Sequence, residues 1–326
     1  MNPKFFWLIT AFLLAFLHRA EAQQPRKIPQ IGVIVSGGSG TSPSYQAFEQ
    51  GLRDLGYIDG QNVLIERRFG EGNLDRMPTI VNELVKQQVD ILFVTNQVAI
   101  FAAKKSTQTV PIVMVSSVDP VMAGFVDSLS RPGGNITGLS QLSRVLSAKR
   151  VELLRETLPG ISRLAILWDP EGPGPKVAYK EYQAAAQILN VRVKSIEVRG
   201  PKFDVEGAFQ ATKAKRADAV IIVANPLTTL YQQIIVEQAI KNRIPSMGEG
   251  DRIVRRGALM SYGSDTRELF HRAATYVDKI LKGTKPTNLP IEQPRKFELV
   301  INLKTAKQIG LTIPPNVLTR ADRVIK

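Results

Sequence analysis

Short apolar runs rich in β-branched residues alternate with amphipathic stretches along most of the chain. Ile31–Val35 (IGVIV), Ile91–Val94 (ILFV), Ile112–Val115 (IVMV), Leu164–Trp168 and Ala219–Val223 are four to five residues long and end abruptly at small polar residues. Such runs suit strands buried on both faces of a parallel sheet. Between them, apolar residues recur at helical spacing. Tyr45, Phe48, Leu52 and Leu55 form one stripe, and Met77, Ile80, Val81, Leu84 and Val85 another. The pattern predicts helices over about 42–55, 75–88, 143–158, 176–189, 205–215, 227–241 and 266–281. Further strands are predicted at Val63–Glu66, Val191–Ile196, near Pro245 and at Ala258–Tyr262. Ser42-Pro43 and Asp119-Pro120 each read as an N-cap with Pro at the first helical position.

Strand-helix alternation with short connections means a parallel sheet covered by helices. Arg131-Pro132-Gly133-Gly134 interrupts it, and a second series then repeats the plan without evident sequence identity. The fold class is α/β, with two doubly wound parallel-sheet lobes and a ligand cleft between them. The first lobe is predicted over 23–138 and the second over 139–263. The segment 264–284 returns to the first lobe and part of 285–326 to the second. Periodicity alone does not assign FELVIN (Phe297–Asn302) or the short helix around Lys304–Ile309 to a lobe.

Residues 1–22 combine Lys4, the apolar run Phe5–Leu17 and the small-x-small sequence Ala20-Glu21-Ala22, the pattern of a cleavable secretory signal. The apolar run is short for a membrane span. There is no cysteine, which excludes disulfides, thiolate metal sites, a cysteine nucleophile and a lipoprotein anchor. The expected compartment is the periplasm. The chain of 326 residues carries a formal charge of +14, and loss of Lys4, Arg19 and Glu21 with the signal lowers it by one. Lys and Arg are scattered, without a basic block or nucleic-acid motif, so a solvated basic surface is expected and no nucleic-acid partner.

In open α/β sheets ligands bind beyond the carboxyl ends of the strands. The candidate binding residues are therefore those at strand ends. In the first lobe they are Ser36, Gly37, Thr95, Asn96, Ser116, Ser117 and Asp119. In the second they are Asp169, Asn225 and Glu249, with Tyr262 further on. Hydroxyls and helix-start N–H groups suit a carboxylate, and Asp169 or Glu249 suits an ammonium group. Replacing Asp119 or Glu249 is expected to weaken binding more than it changes folding. Each residue also has a plain reading as a cap or turn. The loop Ser36–Thr41 lacks the Lys of a Walker A loop and the spacing of a dinucleotide fingerprint. His271 is the one histidine outside the signal, and there is no Gly-x-Ser-x-Gly elbow and no zinc spacing. The expectation is binding without catalysis, with no cofactor and no metal.

Five segments resemble ABC-transporter substrate-binding proteins of the type I periplasmic kind, near the tryptophan-binding type. They are AFEQGLRDLGY (Ala47–Tyr57), VSSVDPVMAGFVDSLSRPGGNITGLS (Val115–Ser140), KRVELLRETLPGISRLAILWDP (Lys149–Pro170), GALMSYGSD (Gly257–Asp265) and KFELVINLKTAKQIGLTIPP (Lys296–Pro315). The resemblance implies a monomer that closes on an amino acid or other small polar molecule. It also implies docking on an ABC permease of the inner membrane. It makes NITGLS the first crossover, places GALMSYGSD at the second, and puts Tyr262 near the hinge. The stretch Asp169–Pro175 (DPEGPGP) departs from the Asn- and Ser-containing loop of amino-acid-binding relatives. A ligand sensor for a signalling receptor and an exported α/β enzyme are the competing readings.

Overall fold

The computed structural model describes residues 27–35, 42–70, 73–141, 146–171, 173–200 and 203–326. The signal-like segment and the candidates Ser36 and Gly37 lie outside them.

The first sheet is all parallel, in the order β2-β1-β3-β4-β5. Its strands are β1 (Gln30–Val35), β2 (Leu64–Phe69), β3 (Ile91–Val94), β4 (Ile112–Ser116) and β5 (Ile136–Ser140). Helices α1 (Pro43–Asp54), α2 (Met77–Lys86) and α3 (Gln97–Ser106) cover its faces. Ser42 caps α1 by accepting the Tyr45 N–H at 3.1 Å, and Pro43 opens the helix. No helix follows Asp119. Its carboxylate accepts the N–H groups of Val121 and Met122 at 2.8 and 3.0 Å in a turn. Gly124, at a φ of 68°, then ends that turn and Phe125 and Val126 enter the core.

The second sheet has the order β12-β11-β10-β9-β8-β6-β7. It holds β6 (Arg163–Trp168), β7 (Arg192–Glu197), β8 (Ala219–Ile222), β9 (Ser246–Gly248), β10 (Met260–Ser264), β11 (Phe297–Asn302) and β12 (Arg323–Ile325). Its helices include α4 (Ser147–Thr157), α5 (Pro173–Ile188), α6 (Val205–Ala214), α7 (Pro226–Leu230), α8 (Gln232–Lys241) and α9 (Asp251–Arg255), and the tail adds short helices at Leu303–Ile309 and Pro315–Leu318. The single helix predicted over 227–241 is two. A capping box between Asn225 and Thr228 starts α7, and Tyr231 separates it from α8. The tail belongs to this sheet: β11 pairs antiparallel with β10, and β12 parallel with β11.

Helix α10 (Thr266–Leu281) packs on α1 instead. Phe48 stacks on Phe93 at 3.9 Å, and Phe93 meets Phe270 edge-on at 5.7 Å, tying α1, β3 and α10 into one core. The approach is close, since a Cβ on Gly51 would lie 2.5 Å from the His271 carbonyl oxygen.

The chain passes between the sheets three times: between Ser140 and Ser147, between Ser264 and Thr266, and between Leu289 and Phe297. The first two passages leave from strand carboxyl ends. The third enters β11, whose antiparallel start lies at the same edge of its sheet. The third runs beside the end of β5: Ser140 N–H donates to the Glu292 carbonyl at 2.9 Å, and Glu292 N–H to the Gly138 carbonyl at 3.0 Å.

Candidate ligand site at the strand ends

The polar groups gathered at these carboxyl ends fall into two kinds. Some are engaged by their own lobe. Ser116 Oγ donates to the Val118 carbonyl at 2.8 Å and is buried. Asn96 Oδ1 caps α3 by accepting the Ala99 N–H at 2.7 Å. Asp169 accepts the Glu171 N–H at 2.8 Å, and Asp119 holds the turn described above. These are the turn and cap roles that the residue types suggest.

Glu249 is engaged most deeply. Its Oε1 accepts the Tyr182 hydroxyl at 2.8 Å and faces Arg150 Nη1 at 3.3 Å, while Oε2 accepts the Ala224 N–H at 3.0 Å. Arg150 is fully buried, donates to the Tyr262 carbonyl at 2.7 Å, and reaches Tyr182 at 3.0 Å. Burial pushes the Tyr182 hydroxyl well above its ordinary range; Arg150 pulls against this and Glu249 adds to it. The phenol thus stays a donor. This network joins α4, α5, β10 and the ends of β8 and β9. Glu249 is thus held by three groups of its own lobe.

Other groups at the same edges are less engaged. Thr95 and Ser117 make no side-chain hydrogen bond among the described residues, and Ser117 is exposed. The Tyr262 hydroxyl is likewise free and its ring half-buried, 6.1 Å from Phe297. Tyr179 stacks on Trp168 at 4.4 Å, and Trp168 Nε1 donates to Ser195 Oγ at 2.8 Å. Asn225 is buried. Its Oδ1 accepts the Thr228 N–H at 2.8 Å, and its Nδ2 has no acceptor. Arg150, Tyr182, Tyr179 and Arg252 are absent from the sequence expectation. The available signals were an arginine on the apolar stripe of α4 and a run of arginines just past Gly250.

Two open depressions of about 750 and 380 Å³ lie along β7, the outer strand of the second sheet. Each is lined by one lobe only and lies apart from the groups above.

Two α/β lobes of mostly parallel strands, linked by passages at strand carboxyl ends, match a known family. Residues 30–325 fit the ABC transporter substrate binding protein family. The chain belongs to that family. Among this substrate-binding protein's relatives is a tyrosine-binding protein of Clostridioides difficile, 25% identical over 268 residues, which are 82% of this chain and 76% of that one. A conserved domain protein from Vibrio cholerae superposes with a TM-score of 0.85 at 28% identity, covering 91% of this chain and 100% of that one. An ABC domain in complex with L-Trp from Streptococcus pneumoniae superposes with a TM-score of 0.84 at 26% identity, covering 91% and 99%. Both likenesses carry the two-lobed α/β fold expected from the strand-helix alternation.

Proposed function

We propose that this protein captures an amino acid or similar small polar solute between its lobes and delivers it to an ABC permease. The observation that carries this reading is the set of side chains without a hydrogen-bond partner at the strand ends: Thr95 and Ser117 on one lobe, Tyr262 and Arg252 on the other. A ligand touching both sets favours the closed arrangement by its extra affinity for that state. The tyrosine-binding relative and the L-Trp complex support an amino-acid ligand, and the aromatic rings around Trp168 and Tyr262 suit an apolar side chain. The leader-like residues 1–22 support export, with capture outside the cytoplasm.

The test is thermal unfolding of residues 23–326 with amino acids, organic acids, sugars and nucleosides. Ligand at about a hundred times its Kd adds roughly 2.7 kcal/mol of stability. L-Tyrosine or L-tryptophan is expected to raise the midpoint and to be recovered unchanged. Chemical conversion of the bound compound would overturn the reading in favour of an enzyme. Stimulation of permease-coupled ATP hydrolysis by the loaded protein, in vesicles holding the permease encoded beside it, tests delivery.

A further inference from the structure

The strands β2 and β5 edge the first sheet, and β12 and β7 the second. Three of these edges are short or answered by the chain itself. Glu292 covers β5. At β2 the Asp59 carboxylate accepts the Ile65 N–H at 2.9 Å, and Arg67 donates to the Ile65 carbonyl at 3.2 Å. The third edge, β12, has three residues. The fourth, β7, has six. The Arg192 and Val198 N–H groups point inward, to the carbonyls of Ser162 and Trp168. Alternation therefore turns the N–H and carbonyl of Val193, Ser195 and Glu197 outward. Among the described residues only Lys215 meets them, donating to the Ser195 carbonyl at 2.7 Å. A lysine there stands in for the donor of a missing strand.

An added strand sends its side chains alternately to the two faces of the sheet, and pockets for them give such pairing its specificity. Both faces of β7 have room. On the α5 side lies the depression of about 750 Å³, lined by Lys180, Gln183, Gln187 and Arg192. On the α6 side lies the one of about 380 Å³, lined by Ile196, Asp204, Ala208 and Lys215. Lys180 and Arg192 have no ion-pair or hydrogen-bond partner among the described residues, and no acid lines their depression. Cations along an edge turn most strands away. The strand that fits brings an acid to the α5 side.

A second copy of β7 does so. Val193, Ser195 and Glu197 lie beside Leu164, Ile166 and Trp168, which face the α5 core, whereas Ile196 packs into the α6 core. Ser195 is the middle one of the three outward residues. Antiparallel pairing about a two-fold axis at Ser195 sets Val193 opposite the second copy's Glu197, and Ile196 opposite its Lys194. That Glu197 enters the α5-side depression near Lys180, and that Lys194 comes over Ile196 toward Asp204. Lys215 gives up the Ser195 carbonyl to the second copy's Ser195 N–H. The symmetry makes each match twice.

We propose that β7 is a self-pairing edge, through which two copies of this chain join antiparallel about Ser195 into one continuous sheet. This departs from the monomer that the family resemblance implies. It needs no solute and leaves the capture reading untouched.

Sedimentation equilibrium of the purified protein tests the pairing. One short strand makes an interface at the small end of the specific range, so dimers are expected at micromolar concentrations. Glu197→Lys is expected to weaken dimerisation at least about tenfold, and Lys180→Glu added to it to recover much of the loss. Both side chains are exposed, so the variants melt with the wild type. The chain has no cysteine of its own. Ser195→Cys therefore gives a disulfide-linked dimer on mild oxidation, whereas Gln108→Cys, exposed on the first lobe, stays unlinked. A wild type that remains monomeric up to about 1 mM overturns the inference. A dimer that Glu197→Lys leaves equally tight, or that links through Gln108→Cys as readily as through Ser195→Cys, overturns it too.

Discussion

At the scale of single residues, whether a polar group is engaged separates folding roles from binding roles. Glu249 and Arg150 form a buried pair, 7% and 0% exposed at their side chains. Removing one charge strands the other. Glu249→Gln is expected to lower the unfolding free energy by about 3 kcal/mol, read from urea unfolding. Thr95 and Ser117 behave in the opposite way. Thr95→Val together with Ser117→Ala leaves the urea midpoint near that of wild type and weakens ligand binding by roughly 2- to 10-fold per hydroxyl touching the ligand. Loss of affinity without loss of stability in that pair, and loss of stability in Glu249→Gln, are separate measurements, and a reversal of the two would refute the division. The residue types at the strand ends were legible in the sequence. Their engagement was not, because it depends on groups brought in from elsewhere. Ser116 is taken by its own turn at Val118, and Glu249 by an arginine and a tyrosine on two other helices. Nothing in the local sequence of Glu249 announces Arg150, ninety-nine positions away.

At the scale of elements, both sheets use an aspartate just before a central strand to hold the start of the neighbouring strand. Asp90, preceding β3, accepts the Gln30 N–H at 2.8 Å. Asp218, preceding β8, accepts the N–H groups of Ser162 and Arg163 at 2.8 Å each. Burial pushes the Asp218 carboxyl up, but those N–H groups and the Arg163 and Ser162 side chains more than reverse it, and its pKa is lowered. A lowered native pKa contributes stability that is full above the ordinary value of about 3.9 and fades as pH falls through the native value. Asp218→Asn is therefore expected to cost about 1 kcal/mol at neutral pH and progressively less below pH 4. A penalty that persists at pH 2 would exclude the electrostatic origin.

The crossing strands hold a second constraint. Gly138 has a φ of 135°, and a Cβ there would lie 2.1 Å from the Met114 carbonyl oxygen. Gly138→Ala should destabilise by more than about 2 kcal/mol, seen as a lowered urea midpoint. Helical and strand periods made most elements legible, including α1 with its Ser-Pro start. Helix ends were less so. Gln88, Asn190, Arg216 and Arg243 all have positive φ between a helix and the following strand, where a glycine would have marked the stop. Strands β11 and β12 stayed unassigned because pairing with a neighbour distant in the chain leaves no trace in local pattern.

At the scale of the whole molecule, neither lobe is a continuous length of chain. The first core is completed by Leu269, Phe270, Ala273, Ala274, Tyr276 and Val277 of α10, and then by Leu289. The second sheet waits for β11 and β12 from the tail. The three passages at one edge make this arrangement possible, and the proposed site lies beside them. Ligand captured there couples both bodies, so binding should merge their unfolding. Apo protein is expected to lose its two cores over a broader range of urea than the loaded protein, followed by fluorescence of Trp168 in one lobe and hydrogen exchange at β3 in the other. Coincident transitions without ligand would show that the passages alone couple the lobes.

The same interleaving fixes an order of events during synthesis. A chain made from its amino end exposes α1 and the Phe48–Phe93 stack long before Phe270 exists to cover them. The lobe that begins first is finished almost last, after more than two hundred residues have been added. Until then its sheet has an open apolar face, the state in which chaperones and proteases find a nascent chain.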